Sequence, residues 1–237
     1  MTCGKLPEEI CKSYILKKER KVMKQMKQMK KVALLLCAVF VIGMVAGCSS
    51  FDASAYLKAV LDNSYKNDPT GFVDQKIATK EEADKLYEDG LDKELDAFIT
   101  GANVTLSDDV KENLRSIFAD LFKAADYKVG EAKKQSDGSY EVTVEYKTLK
   151  VFKNAYTTYS KKLEDIDASK FESQQEVYDA VFQTLADCIK DELASPEYGD
   201  SQTMDITISV KDKLYTPDEN DLATLEQALF DMDQFGE

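Results

Sequence analysis

The stretch Tyr140–Lys147, YEVTVEYK, alternates apolar and polar side chains along its whole length. One face would carry the apolar set and the opposite face the polar set, namely Tyr140, Val142, Val144 and Tyr146 against Glu141, Thr143 and Glu145. A period of two indicates a β-strand with one buried face and one face in water. Strands of this kind are typical of antiparallel sheets, because parallel strands are usually apolar on both faces.

Two further strands are predicted around it. The segment 126–134 is joined to the quoted stretch by QSDGS, in which Asp137-Gly138 favours a tight hairpin turn. The segment 203–210, TMDITISV, alternates as clearly, and its apolar set is predicted to be buried: Met204, Ile206, Ile208 and Val210. We therefore predict a small three-stranded antiparallel sheet.

Helical spacing of apolar residues accounts for most of the remaining chain and predicts about six helices. Two of them would begin at capping boxes, Thr79–Glu82 and Ser173–Glu176, and others at Ser107 and at Thr216, which is followed by Pro217. The order ααα-ββ-αα-β-α predicts a single α+β domain, with the helices packed on one face of the sheet.

Charge divides the chain into two unequal parts. Residues 1–47 hold ten of its 31 Lys and Arg and three of its 44 Asp and Glu, so residues 48–237 hold 21 bases and 41 acids. The second part therefore has a net charge of about −20, which argues against nucleic acid as a partner.

The basic part reads like a leader. A lysine-rich segment, 21–31, precedes sixteen uncharged residues, 32–47. That run is short for a membrane span, which needs roughly 20 apolar residues, and it suits the apolar region of a secretory signal peptide. The alternative, a buried core helix, is disfavoured by the lysines and by the apolar residues on every side.

The run ends in Val45-Ala46-Gly47-Cys48, which resembles the lipobox of bacterial lipoproteins. The resemblance implies that a signal peptidase recognises Val45, Ala46 and Gly47 and cuts before Cys48. It also implies that the Cys48 thiol carries a diacylglycerol, a palmitate-type anchor on the extracytoplasmic face of the cell membrane. Residues from Phe51 onward are similar to uncharacterised surface lipoproteins of clostridial-type Gram-positive bacteria, which implies no catalytic residues.

These features divide the chain into four segments. Residues 1–22 are an over-extended N-terminus if translation starts at Met23, Met26 or Met29; residues 23–47 are the signal peptide. Residues 48–54 form a short tether, and residues 55–237 form the α+β extracytoplasmic domain.

Little in this domain indicates chemistry. The chain has no histidine, which removes Ser-His-Asp and Cys-His catalysis and most zinc sites. We expect no cofactor, no metal and no enzyme activity; a carboxylate-dependent glycan hydrolase of the envelope is the alternative. The segments starting at Asp218 and at Asp231 have acids at alternate positions but do not match a calcium loop.

Other candidates are apolar or aromatic. Cys188 is predicted to be a small buried core residue. Four tyrosines could line a groove for a peptide, sugar or other ligand: Tyr140, Tyr146, Tyr156 and Tyr159. The alternative for such a stripe is a core edge with hydroxyls in water. We expect a lipid-anchored domain that binds the membrane through Cys48 and an unidentified protein or small molecule, without enzyme activity.

Overall fold

The computed structural model describes residues 42–43, 51–167, 170–211 and 214–230. The predicted N-terminal extension, the lysine-rich segment and the lipobox Val45–Cys48 lie outside these ranges.

Seven helices lie within the described ranges. They are α1 Ala53–Lys66, α2 Thr70–Asp74, α3 Lys80–Ala102, α4 Asp108–Lys123, α5 Val151–Glu164, α6 Gln174–Leu193 and α7 Glu219–Phe230. Four strands form an antiparallel sheet, and a two-residue segment, β1 Ile42–Gly43, pairs with its edge. The four are β2 Asp126–Lys134, β3 Tyr140–Leu149, β4 Tyr198–Lys211 and β5 Leu214–Pro217, in the order β1-β5-β4-β3-β2.

The predicted class, a single α+β domain, is confirmed, but one helix and one strand were missed. The segment NDPTG reads as a helix breaker, yet α2 begins directly after Pro69. Thr216 and Pro217 were predicted to start the last helix, and they belong instead to β5. Proline is tolerated there because β5 has only four residues and lies near the edge of the sheet.

The last helix is capped by Asp218 and not by Thr216. Oδ1 of Asp218 accepts hydrogen bonds from the backbone N–H groups of Asn220 at 2.9 Å and Asp221 at 3.1 Å. The Asp221 carboxylate in turn accepts from the N–H of Thr207 on β4, at 2.9 Å. The acids of this segment thus fix the start of α7 against the sheet.

Helices cover one face of the sheet: α1 packs on β2 and β3, and α7 packs on β3 and β4. Val142, Val144, Ile206 and Ile208 are fully buried on that face, as predicted. Val210 was predicted to be buried with them and is 38% exposed. It pairs with Tyr215 near the end of β4, two residues past Ile208, the last residue of β4 that pairs with β3. The prediction therefore carried the alternation too far along the strand.

The opposite face of the sheet is polar and open. Exposed residues there include Glu141, Glu145 and Asp205. Two of these carboxylates accept hydrogen bonds from a neighbouring strand: Thr143 Oγ1 donates to Asp205 at 2.6 Å and Ser201 Oγ donates to Glu145 at 2.5 Å. Cross-strand bonds of this kind hold the register on the solvated face.

The predicted helix caps differ in what their side chains do. Thr79 and Glu82 form the full capping box, since Thr79 Oγ1 accepts from the N–H of Glu82 at 3.2 Å and Glu82 Oε2 accepts from the N–H of Thr79 at 2.8 Å. Ser107 stands at the cap position of α4 but makes no side-chain cap bond. Its backbone N–H instead donates to Asp179 Oδ1 at 2.8 Å.

We therefore expect Thr79→Ala to lower the free energy of unfolding by about 1 kcal/mol, because a capping side chain satisfies a helix N–H that is otherwise unpaired. Ser107→Ala is the matched control, and we expect it to change stability much less. Urea denaturation of both variants checks this. Equal losses would show that the cap bond at Thr79 adds nothing to stability.

Candidate functional site

The ring of Phe51 lies in an aromatic cluster. It stacks on Tyr215 with ring centroids 3.5 Å apart and planes inclined by 12°. It also contacts the rings of Tyr56 and Tyr140, each at a centroid distance of 5.4 Å. Asp52 then caps α1 by accepting from the N–H of Ala55 at 2.9 Å. Phe51 and Asp52, which belong to the predicted tether 48–54, thus contact the rest of the domain.

Tyr56 ties this cluster to the edge strand. Its ring is fully buried, and its hydroxyl donates to the backbone carbonyl of Tyr215 at 3.0 Å. Burial raises the pKa of Tyr56 to about 12, so the hydroxyl keeps its proton at physiological pH and remains a donor. The first turn of α1 is therefore fixed to β5.

Around Phe51 the end of the sheet carries exposed lysines and one exposed apolar side chain. Lys134 pairs with Tyr140 across the β2–β3 hairpin, and its Nζ lies 5.8 Å from the centre of the Tyr140 ring. Lys211 pairs with Leu214, directly before Tyr215, and Val210 pairs with Tyr215 itself. We name this surface the Phe51 patch; it comprises Phe51, Tyr140, Val210 and Tyr215 with the exposed Lys134, and the exposed Lys211 lies at the same end of the sheet.

The four tyrosines of the predicted groove lie in different surroundings. Tyr140 belongs to the Phe51 patch, whereas Tyr146 lies six residues further along β3, about 20 Å away by the rise of a strand. Tyr146 is 9% exposed, and its hydroxyl donates to Gln202 Oε1 at 3.3 Å. Tyr156 and Tyr159 on α5 do lie together, with ring centroids 6.5 Å apart, and Tyr159 is buried.

Two glutamates are buried inside the domain, where sequence reasoning singled out no site. Glu94 on α3 and Glu226 on α7 are 3% and 2% exposed. The Tyr65 hydroxyl donates to Glu226 Oε2 at 3.4 Å. Burial, and next the charge of Glu94, raise the pKa of Glu226 well above its usual range, and the Tyr65 bond opposes this shift.

Glu226 resembles a catalytic acid in its raised pKa, but neither glutamate is accessible. One carboxyl is desolvated and close to a second, as in glycosidases. A sugar cannot contact either of them, because both lie beneath packed helices with almost no exposed area. These two glutamates therefore do not provide an accessible active site for the alternative function, a carboxylate-dependent hydrolase.

Cys188 is 1% exposed on α6, as predicted for a core residue. Burial raises the pKa of the Cys188 thiol, an effect that Lys162 only partly opposes, so the thiol form is favoured over the thiolate. Within the described ranges, no three Cys, Asp or Glu side chains are grouped so that they could hold a metal ion. The segment starting at Asp231 lies outside those ranges.

Comparison of the chain with protein-family models, with curated proteins and with solved structures found no match. No helix in the described part of the chain has the length and apolarity needed to cross a bilayer.

Proposed function

We propose that this chain is the precursor of a bacterial lipoprotein, whose mature domain is held by lipid on Cys48 at the extracytoplasmic face of the cell membrane. The observation that carries the proposal is the motif Val45-Ala46-Gly47-Cys48 at the end of sixteen uncharged residues. A basic segment, an apolar run, small residues and a cysteine occur here in the order that export and lipidation require.

The structure supports the proposal through the position of Phe51. Only Ser49 and Ser50 separate Cys48 from this packed ring, so the processed chain would begin almost at the surface of the domain. Cleavage before Cys48 would remove the two-residue β1, which lies in the leader, and would leave the seven helices and strands β2–β5 in the mature protein.

We propose further that the domain binds a protein or small-molecule partner and catalyses no reaction. The support is chemical: the chain has no histidine, its mature thiol at Cys188 is buried, and its desolvated acids are sealed in the core. The open polar face of the sheet, with Glu141, Glu145 and Asp205, offers carboxylates in a fixed array.

The test of the anchor is metabolic labelling with an alkyne analogue of palmitate in a Gram-positive host that produces the full chain. We expect the wild-type protein to carry label, to sediment with membranes and to yield an N-terminal peptide beginning with modified Cys48. Cys48→Ser should lose all label, because only the thiol can form the thioether.

Cys188→Ala is the matched control, since it removes a cysteine that lies in the core. This variant should retain full labelling and membrane association. An unlabelled wild-type protein that still carries its leader would overturn the proposal.

A further inference from the structure

We infer that the Phe51 patch is the surface with which the domain faces the lipid headgroups of its own membrane. This inference rests on the proposed lipid anchor at Cys48. The occupant of the patch would be the headgroup layer of a phospholipid bilayer that contains anionic lipid.

The reach of the chain is the first argument. Three residues of fully extended chain span about 10–11 Å, which is the farthest that Phe51 can lie from Cys48. The headgroup layer is about 5–8 Å thick on each side of the hydrocarbon core. An anchored Cys48 therefore keeps Phe51 at the membrane surface.

The rigidity of the attachment is the second argument. Phe51 is stacked on Tyr215, and the next residue, Asp52, caps α1. Phe51 is therefore fixed to the body of the domain, and only Ser49 and Ser50 lie between it and Cys48 in the sequence.

The chemistry of the patch is the third argument. Tyr140 and Tyr215 are aromatic rings with polar ends, a type enriched where membranes meet water. Val210 is one of two large apolar side chains found exposed in the described ranges. Lys134 in the patch and Lys211 at the same end of the sheet are exposed, and lysines at a membrane surface are attracted to anionic lipid.

The negative charge of the rest of the domain also favours an orientation in which the Phe51 patch faces the membrane. The mature domain has a net charge of about −20, so most of its surface is repelled by an anionic bilayer. Acids near the patch include the exposed Asp52, whose carboxylate caps α1, and two that are bonded within the hairpin. Asp137 accepts from Ser139, and Glu141 accepts from Gln135 Nε2 at 2.6 Å.

The test places one label at each end of the same strand. In the Cys188→Ala background, Val210→Cys lies in the patch, and Asp200→Cys lies ten residues away, about 33 Å along β4. Both positions are exposed. Each lipidated, full-length product is labelled with a fluorophore and reconstituted into vesicles of phosphatidylcholine and phosphatidylglycerol that carry a headgroup-attached quencher.

We expect quenching at position 210 to exceed quenching at position 200 several-fold. Flotation with the vesicles, and the mass of the lipidated N-terminal peptide, are measured on the same samples. A protein that lacks lipid on Cys48 would contradict the proposed function. A lipidated protein that floats with the vesicles but shows equal quenching at both positions would overturn this inference alone.

A charge variant provides a second readout. Lys134→Glu with Lys211→Glu should reduce the quenching at position 210 in vesicles that contain phosphatidylglycerol. Lys153→Glu with Lys161→Glu, two exposed lysines on α5, is the control and should leave it unchanged. Equal quenching in both charge variants would show that Lys134 and Lys211 do not orient the domain, against the inference.

Discussion

Replacing Phe122 by Ala is expected to lower the free energy of unfolding by about 3–5 kcal/mol, the range typical of a buried phenylalanine that leaves a cavity. Phe122 on α4 is fully buried. Its ring centroid lies 5.5 Å from that of Phe230, 6.1 Å from that of Phe118 and 6.2 Å from that of Tyr65. The ring therefore joins α4 to α1 and α7, the two helices that cover the sheet.

The loss should be this large because three separate elements would have to move to fill the space. Collapse of a cavity is cheapest where one flexible side chain can fill it, and here the neighbours are rigid aromatic rings. Val73→Ala is the control, since Val73 is 44% exposed, and we expect it to cost less than about 0.5 kcal/mol. Urea denaturation measures both variants; a cost below about 1 kcal/mol for Phe122→Ala would show that the helices repack freely.

The sheet and the long helices were predictable because their signals are local. The alternation in β3 and β4 and the apolar stripes of α3, α4 and α6 each extend over many residues, and burial on one face imposes such patterns. The Asp137-Gly138 turn was also predictable, since Gly138 takes a φ of +91° that other residues rarely adopt.

The missed elements are short ones that tertiary contacts determine. Helix α2 has only five residues, too few to form alone, and Gly71 in it packs closely on Ala59 of α1. Strand β5 has four residues and is defined by its pairing with β4. Nothing in either segment, taken by itself, indicates these partners.

The Phe51 patch was only half predictable. Tyr140 was selected because of its place in an alternating strand, but its neighbours Phe51 and Tyr215 come from distant parts of the sequence. One signal was available: Phe51 is a large apolar residue directly beside an N-cap aspartate, in a segment that otherwise reads as tether. A residue of that kind before a cap often packs against the helix that follows.

The buried glutamates had a clear signal in retrospect. Glu226 lies between Leu225 and Leu229 at a spacing that belongs to the inward face of α7. Glu94 precedes Leu95 on the buried face of α3 in the same way. A charged residue at a core position of a helix is a departure from the pattern, and such departures often mark functional or strained positions.

Glu226→Gln is the second prediction with a large expected effect. Oε1 of Glu226 has no hydrogen-bond donor among the described residues, and the side chain is 2% exposed. An ionised carboxylate there lacks both water and a second partner, which costs free energy. Glutamine has nearly the same shape and can keep the bond from the Tyr65 hydroxyl, but it cannot ionise.

The pH dependence follows from the direction of the pKa shift. The unfolded chain releases the Glu226 proton near the usual value of 4.5, whereas the folded protein holds it to higher pH. Between these two pKa values the folded state binds more protons, so the free energy of unfolding falls as pH rises. The contribution of Glu226 is therefore fully present below pH 4.5 and is lost as the pH rises through the folded-state pKa.

We expect Glu226→Gln to be more stable than the wild-type protein at pH 8 by about 1–3 kcal/mol, the cost of an unsatisfied buried acceptor. At pH 4 the difference should be small. The measurement is the difference in unfolding free energy between the two proteins at several pH values. The wild-type protein and the variant share all the other acidic residues. Charge repulsion among those residues therefore cancels when the two unfolding free energies are subtracted.

Glu112→Gln provides the matched control, since Glu112 is an exposed glutamate on α4. Its difference from wild type should not grow with pH in this way. A Glu226→Gln difference that stays constant from pH 4 to pH 8 would mean that Glu226 titrates alike in the folded and unfolded chain. An equal pKa in both states would require the Glu226 carboxylate to be solvated or paired in the folded protein. That result would contradict the burial of Glu226 on α7.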